Sequence, residues 1–153
     1  MELRHCQICE RDIKARTGVI AHHGYQRPGD GWQTASCFGA RKLPYEESCD
    51  AIQPYIDTVK NYKSAREQFV KGLVENPPAE LTAPRISMRY DEKPRVFARP
   101  ENFDPNVNHH GNRYSSYEGN FDAQKSDAEY QIRNAIKEIE RMEKRLQAWV
   151  KVI

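Results

Sequence analysis

The sequence contains no long hydrophobic run, and this argues against a membrane protein. No apolar stretch approaches the roughly 18 residues that a transmembrane helix requires. The first residues, MELRHC, also lack the apolar segment of a secretory signal. We therefore expect a cytoplasmic protein that does not associate with a membrane. Because thiols stay reduced in that compartment, its cysteines indicate metal binding rather than disulfides.

An excess of charge of one sign is also missing. The 153 residues include 24 Lys and Arg against 22 Asp and Glu, a formal net charge of +2, so no strong field covers the whole chain. Charge is uneven only locally: residues 81–100 hold five basic and two acidic side chains, and residues 101–125 hold two and four. With 38% hydrophobic and 30% charged residues, small modules and half-exposed helices fit better than one thick core.

Cysteine is confined to the first third of the chain, at Cys6, Cys9, Cys37 and Cys49. Cys6 and Cys9 form a C-x-x-C pair, in which two sulfurs can face one ion from a tight turn. Cys37 follows a glycine-rich stretch, as a second such turn would. Tetrahedral zinc takes sulfur and nitrogen donors in this arrangement. The spacing predicts a structural zinc site with Cys6, Cys9 and Cys37 as ligands.

Three residues compete to be the fourth ligand: His22, His23 and Cys49. Neighbours in a strand point to opposite sides, so His22 and His23 should not both bind one ion. Cys49 comes at the start of a predicted helix, where a lone cysteine is often a small buried residue. We favour His23, and we keep His22 and Cys49 as alternates.

Three short motifs surround these ligands: residues 23–29 (HGYQRPG), 31–32 (GW) and 36–39 (SCFG). Together with the C-x-x-C pair they resemble a pattern in uncharacterised bacterial and phage-encoded proteins, in which a long helical region follows. The resemblance covers about the first fifty residues and not the later insertion. It implies that Cys6, Cys9, His23 and Cys37 bind zinc and that Cys49 does not. It implies no activity.

The sequence does not favour a catalytic metal. It has neither an H-E-x-x-H motif nor the H-x-E and P-C-x-x-C pair of zinc deaminases. Four protein ligands fill the coordination sphere of a tetrahedral ion, which is typical of a metal that stabilises the fold. His22 and His23 near the C-x-x-C pair are loosely similar to a His-Me finger nuclease. The chain lacks the acidic residue before the first histidine and the second paired knuckle, so a nuclease is the least favoured alternative.

Two long helices are predicted. Asp50 and Gln53 form an N-cap signature, and apolar residues at 3-4 spacing continue to the proline stop after Asn76, which predicts a helix over 50–75. Arg66 interrupts the predicted seam of this helix, which contains Ile52, Tyr55, Val59, Tyr62, Phe69 and Leu73. Ser126 and Glu129 form a capping box that predicts a second helix over 126–153. Its seam is regular: Ile132, Ala135, Ile139, Met142, Leu146, Trp149 and Ile153. The stripes predict an antiparallel, coiled-coil-like hairpin, or a homodimer through the second helix.

We therefore expect an α+β fold of two domains. Residues 1–49 form a zinc-ribbon-like β module, with β-prone stretches at 18–22 and 32–36. Residues 50–153 form the helical hairpin with an insertion at 79–125. The insertion carries a predicted β-hairpin of 85–90 and 95–99, followed by a loop at 100–125 that we expect to be disordered until bound.

Two surfaces of the insertion are candidates for binding. Arg85, Arg89, Arg95 and Arg99 can share one face of the hairpin with Phe97, an arrangement that suits phosphates, nucleobases or an acidic protein. Tyr114, Tyr117 and Phe121 are expected to be exposed among Asn and Ser, as in protein-recognition surfaces.

From these features we expect a non-enzymatic, zinc-stabilised adaptor or inhibitor that binds a macromolecule, a protein rather than a nucleic acid, through the hairpin and the loop. If it is phage-encoded, as the resemblance suggests, the partner is a host factor. The alternative is a nucleic-acid-binding zinc module that uses the four arginines.

Overall fold

A computed structural model describes residues 2–24, 36–84 and 93–152. In chain order the elements are strands β1 (Leu3–His5), β2 (Asp12–Arg16) and β3 (Val19–Ile20), helix α1 (Ile52–Glu75), strands β4 (Glu80–Thr82) and β5 (Val96–Ala98), and helix α2 (Tyr117–Gln147). The fold is α+β, which confirms the predicted class. No helix within these ranges is both long and apolar enough to cross a membrane.

The chain divides into two compact units. The first unit contains residues 1–61 and 137–153, and the second unit contains residues 62–136. This division differs from the expected boundary at 49/50, because the first turns of α1 and the last turns of α2 pack with the cysteine-bearing segment. The cysteine-bearing segment is therefore part of a larger unit rather than an independent domain.

The first unit contains a three-stranded antiparallel sheet in the order β1-β2-β3. Leu3 lies opposite Lys14, and Arg16 lies opposite Val19. The two residues between β2 and β3, Thr17 and Gly18, both have positive φ (54° and 82°), as a tight hairpin turn requires. The predicted strand at 18–22 is found in part as β3. Of the predicted strand at 32–36, only Ser36 lies within the described residues, and it forms an isolated bridge with Gly24.

The core of the first unit joins this sheet to both helices. Its buried members are Cys6, Ile8, Ile20, Cys37, Ala51, Ile52, Ile56 and Met142. Ile139 and Leu146 of the predicted seam pack against them. Gln7 is buried as well, and its amide bonds to the Leu43 carbonyl at 2.8 Å and accepts from the Ala51 N–H at 2.9 Å. The start of α1 is thus fixed to the C-x-x-C turn.

Helix α1 begins two residues later than predicted and ends where predicted. Its inner face differs from the predicted seam. Tyr62 and Phe69 are 45% and 37% exposed, whereas Val59 and Arg66 are half-buried. The reason is the helical period: a stripe that starts at Ile52 and Ile56 continues through 59, 63, 66, 70 and 73. Arg66 therefore lies on the inner stripe instead of interrupting it.

Helix α2 begins nine residues before the predicted start and ends six residues before the predicted end. Its N-cap is Ser116, whose hydroxyl accepts from the Gly119 N–H at 3.0 Å, while Ser126 lies exposed within the helix. At the other end, Trp149 Nε1 donates to the Tyr45 carbonyl at 2.6 Å and Val152 N donates to Glu46 O at 3.1 Å. These long-range hydrogen bonds hold Trp149 and Val152 against Tyr45 and Glu46, so the helix ends at Gln147.

The second unit contains a two-stranded antiparallel sheet in which Leu81 of β4 lies opposite Phe97 of β5. Strand β5 lies within the range 95–99, for which a strand was predicted, and confirms that strand. Its partner is Glu80–Thr82, whereas the predicted partner at 85–90 lies outside the described residues. A small core lies beside this sheet, made of Leu73, Leu81, Tyr117 and Phe121, with Phe97 and Phe103 packed against it.

The predicted loop at 100–125 is shorter than expected, because α2 already begins at Tyr117, and the residues before the helix make defined contacts. The Phe103 ring packs edge-on against Tyr117 and Phe121, with centroids 4.9 and 4.8 Å away, and stacks on His109 at 5.0 Å. Tyr117 and Phe121 are 2% and 0% exposed, so the expectation that they lie on the surface was wrong. They are buried because α2 starts early enough to place both on its inner face.

Candidate metal centre

The C-x-x-C pair occupies the turn between β1 and β2. The Cys6 N–H donates to the Arg11 carbonyl at 3.0 Å and closes the turn. The Ile8 N–H points to the Cys6 sulfur at 3.5 Å. A contact of this kind orients the Cys6 sulfur. The local sequence thus presents Cys6 and Cys9 to the same point in space.

A second turn supplies the other two donors. His23 and Cys37 flank the Gly24–Ser36 bridge, and the Cys37 N–H donates to the His23 carbonyl at 2.7 Å. The Ala40 N–H donates to the Cys37 carbonyl at 2.9 Å and curls the chain after this cysteine. Residues that are 14 positions apart in sequence are thereby held side by side.

The four favoured residues lie together. Their potential ligand atoms, from Cys6, Cys9, His23 and Cys37, are all within 4.8 Å of one another and could hold a metal ion. Cys6 Sγ and Cys37 Sγ are 3.8 Å apart, and Cys9 Sγ and His23 Nε2 are 3.3 Å apart. Two sulfurs bound at about 2.3 Å to a tetrahedral ion are separated by about 3.8 Å. The donor set and its spacing fit a tetrahedral metal of the zinc type.

The histidine is oriented for binding through Nε2. His23 Nδ1 lies 2.9 Å from the Ala21 carbonyl, which can only accept, so the ring proton belongs on Nδ1. The Nε2 lone pair then faces the sulfurs, as in sites where a carbonyl fixes the tautomer of a ligating histidine. The side chain of His22 lies outside the cluster, with Nδ1 2.7 Å from Ser36 Oγ. Cys49 packs against the core and is also outside the cluster.

Charge in the cluster favours a cation. A hydrogen bond between the Cys6 and Cys37 sulfurs lowers the pKa of Cys6 and raises that of Cys37. A thiol and a thiolate joined by a hydrogen bond carry one negative charge, which suits a cation. A hydrogen bond to Cys9, supported by the nearby charges of Cys37 and Cys6, raises the pKa of Arg11. Three thiolates and a divalent ion carry a net charge of −1, and the Arg11 guanidinium opposes it.

Gly39 is required by the close approach of two turns. A Cβ atom placed on Gly39 would collide with Cys6 Sγ and touch the Ile8 side chain. The second turn can therefore approach the C-x-x-C turn only with glycine at this position. Sequence reasoning noted Gly39 within a motif but assigned it no role.

Two arginines of α2 bind the outer side of the C-x-x-C turn. Arg145 donates from Nε to the Gln7 carbonyl at 2.8 Å and from Nη2 to the Cys6 carbonyl at 3.1 Å. Arg141 Nη2 donates to the Ile8 carbonyl at 2.9 Å. Three consecutive carbonyls of the turn are thus satisfied by α2. We call Arg141 and Arg145 the arginine brace.

The brace is itself held in place by neighbouring side chains. Glu10 accepts from both arginines, with each bond 2.9 Å long. The Arg145 guanidinium lies 3.6 Å from the centroid of the Tyr45 ring, a cation–π contact. Arg141 and the Tyr55 hydroxyl both donate to Glu138, and Arg141 is the main cause that lowers the pKa of this carboxyl. The brace could not be recognised from the sequence, because two arginines four positions apart are typical of the solvent-exposed face of a helix.

The residues predicted to bind a partner are only partly brought together. Arg85 and Arg89 lie outside the described residues. Arg95 and Arg99 are exposed on either side of β5, and Arg99 Nη1 donates to the Pro77 carbonyl. Phe97 lies between them in sequence but packs against the core of the second unit.

The two candidate tyrosines differ. Tyr114 is exposed, as predicted. Tyr117 is buried, and its hydroxyl donates to the Pro78 carbonyl. Among the residues that the structure describes, the four potential metal ligands therefore lie close together, whereas the residues predicted to bind a partner are only partly brought together.

No protein family, curated protein or solved structure matches the chain.

Proposed function

We propose that this chain is a non-enzymatic adaptor, stabilised by zinc, that binds a protein partner in the cytoplasm. The observation that carries the proposal is the convergence of three cysteines and one histidine within 4.8 Å. In the proposed site Cys6, Cys9 and Cys37 supply thiolates and His23 supplies Nε2. Zinc bound there would link the two turns into a zinc-ribbon-like module.

The surroundings of the cluster support a structural role. The nearby groups are used to hold the turns: Gly39 allows their contact, the arginine brace binds the backbone of the first turn, and Arg11 balances its charge. Four protein donors leave a tetrahedral ion without a coordination position for substrate. Metal binding is therefore proposed to stabilise the fold of the two turns rather than to support catalysis.

The proposed helical part is an antiparallel hairpin built from α1 and α2. In the first unit, Ile52 and Ile56 near the start of α1 share a core with Met142 near the end of α2. In the second unit, Leu73 near the end of α1 shares a core with Phe121 near the start of α2. Burial of Met142 within the chain favours this packing over a homodimer through α2.

The proposed partner surface lies on the insertion. Arg95, Arg99 and Tyr114 are its exposed described members. Arginine and tyrosine are enriched where proteins bind one another. The resemblance to bacterial and phage-encoded proteins supports the further proposal that the partner is a bacterial protein and that the chain acts on a host.

The test is affinity capture from bacterial lysate, with and without nuclease treatment, with the full-length chain as bait. We expect a defined protein to be retained by the native chain and to be lost with the double variant Arg95→Glu/Tyr114→Ala. The variant Lys71→Glu, at an exposed position in α1, serves as the charge control. Capture that needs intact nucleic acid, and that falls steeply with salt, would replace the proposal with the nucleic-acid-binding alternative.

A further inference from the structure

A cavity of about 350 Å³ lies beside the metal cluster in the first unit. Two proposed ligands, Cys9 and Cys37, form one wall. The rest of the lining includes Ile8, Phe38, Tyr55 and Glu138. We call this cavity the cluster pocket. Its volume is in the lower part of the range found for ligand-binding cavities, roughly 300–1,000 Å³.

The walls of the cluster pocket are mainly apolar. Ile8 belongs to the buried core, and the rings of Phe38 and Tyr55 lie with centroids 5.5 Å apart at an angle of 51°. Phe38 follows Cys37 directly, so the turn that presents the ligand also positions the ring. The ring is 39% exposed, although it adjoins an apolar cavity. Covering it would remove apolar surface from water, which is favourable.

The polar side chains of the described lining already have partners. The Tyr55 hydroxyl donates to Glu138 Oε1 at 2.9 Å. Arg141 donates from Nε to Glu138 Oε2 at 2.9 Å and from Nη2 to Oε1 at 2.7 Å, so the two charges compensate each other. Ser36 Oγ lies 2.7 Å from His22 Nδ1.

A polar occupant would therefore give up its hydration for few new hydrogen bonds, which is costly. An apolar occupant loses nothing of this kind and gains contact with the two rings and Ile8. The chemistry of the lining thus selects a neutral, apolar group, and the rings favour an aromatic one.

We propose that the cluster pocket receives an aromatic side chain of the protein partner, so that the metal centre forms part of the docking surface. This inference rests on the proposed function, because it takes the partner to be a protein. A single apolar side chain that enters a pocket is a common form of interface hot spot. Zinc would then act in recognition as well as stability, because Cys37 holds the Phe38 wall.

The test is an NMR titration of the full-length chain loaded with one equivalent of zinc. The probes are N-acetyl-L-phenylalanine methylamide and, as the polar control, N-acetyl-L-glutamine methylamide. We expect the phenylalanine probe to shift the amides of Ile8 and Phe38 saturably, with a dissociation constant in about the millimolar range. Contacts from its ring to Phe38 should appear in nuclear Overhauser spectra. The glutamine probe should produce no saturable shift.

Variants locate the binding. Phe38→Ser should weaken binding of the phenylalanine probe about tenfold, which corresponds to about 1.4 kcal/mol of lost ring contact. Leu43→Ser is the matched control, since Leu43 is 40% exposed and lies outside the pocket lining. It should bind the probe as the native chain does. The ring contacts seen with the native chain decide the question even if a variant fails to fold.

The outcomes separate the two proposals. Stoichiometric zinc without saturable binding of the phenylalanine probe overturns the pocket and leaves the proposed function in place. Equal shifts with both probes also overturn it, because they show a polar-tolerant site. Absence of zinc in a chain that still binds the phenylalanine probe at Phe38 overturns the metal centre and supports the pocket. Absence of both overturns both.

Discussion

Arg145 Nε donates a hydrogen bond of 2.8 Å to the carbonyl oxygen of Gln7, which lies within the C-x-x-C turn. The two residues are 138 positions apart in the chain. This bond, with those to Cys6 and Ile8, makes the last turns of α2 a support for the metal cluster. Metal binding and the docking of α2 are consequently linked: each should stabilise the other, because both order the same turn.

The first prediction concerns this support. Arg145→Ala should weaken metal affinity by about 10- to 100-fold, as loss of a group that orients metal ligands typically does. The same variant removes hydrogen bonds to three acceptors and should lower the free energy of unfolding by about 2–4 kcal/mol. Affinity is measured by competition with a chromophoric zinc chelator. Lys144→Ala, an exposed neighbour, is the control and should bind zinc normally. Equal affinities for the two variants would show that the brace does not support the site.

The second prediction concerns the contact of the two turns. Gly39→Ala should lower metal affinity at least about tenfold, because its Cβ cannot be accommodated without displacing the Cys6 sulfur. The matched control is Gly72→Ala in α1, where a Cβ meets no atom within 4 Å. That control should keep its zinc and gain up to about 1 kcal/mol of stability from helix propensity. Metal content and thermal unfolding of the two variants test the contrast, and normal zinc binding by Gly39→Ala would contradict the observed packing.

The third prediction concerns pH. Hydrogen bonds from Arg141 and then from Tyr55 hold the pKa of Glu138 below its ordinary value of 4.5. A carboxyl with a lowered pKa in the folded state stabilises the protein above its unfolded-state pKa, and the stability is lost as pH falls through the folded-state pKa. The native chain should thus exceed Glu138→Gln in stability at neutral pH, and the difference should shrink in acid, below about pH 4.5.

Urea unfolding of both proteins across this range measures the difference directly. Both proteins are measured with a chelator present at every pH, so that release of metal in acid does not enter the comparison. A stability difference that stays constant with pH would mean that the carboxylate charge of Glu138 contributes nothing.

Part of the four-donor cluster could be predicted because the C-x-x-C turn is local, whereas the approach of Cys37 to Cys6 joins residues 31 positions apart. The spacing of Cys6 and Cys9 fixes one turn, and the alternation of neighbouring side chains separates His23 from His22. Helix α1 was likewise predicted within two residues, since proline defines its end. These features depend on residues close together in sequence, where steric rules apply without knowledge of the tertiary fold.

The remainder depends on contacts between distant residues. The Ser126 and Glu129 pair has the form of a capping box, yet Ser116 caps α2 because Tyr117 and Phe121 continue the helix into the core. Arg145 resembles a solvated residue until its partner, 138 positions away, is known. The role of Gly39 likewise requires the position of Cys6. No local pattern encodes such pairs, so sequence reasoning could not find them.

The most direct measurement of the central claim is the elemental composition of two purified variants, Cys9→Ser and Cys49→Ser, beside the native chain. The structure places Cys9 inside the four-donor cluster and Cys49 outside it. We expect one zinc per chain in the native protein and in Cys49→Ser, and loss of the metal in Cys9→Ser. Undiminished zinc in Cys9→Ser, or none in the native chain, would contradict the account.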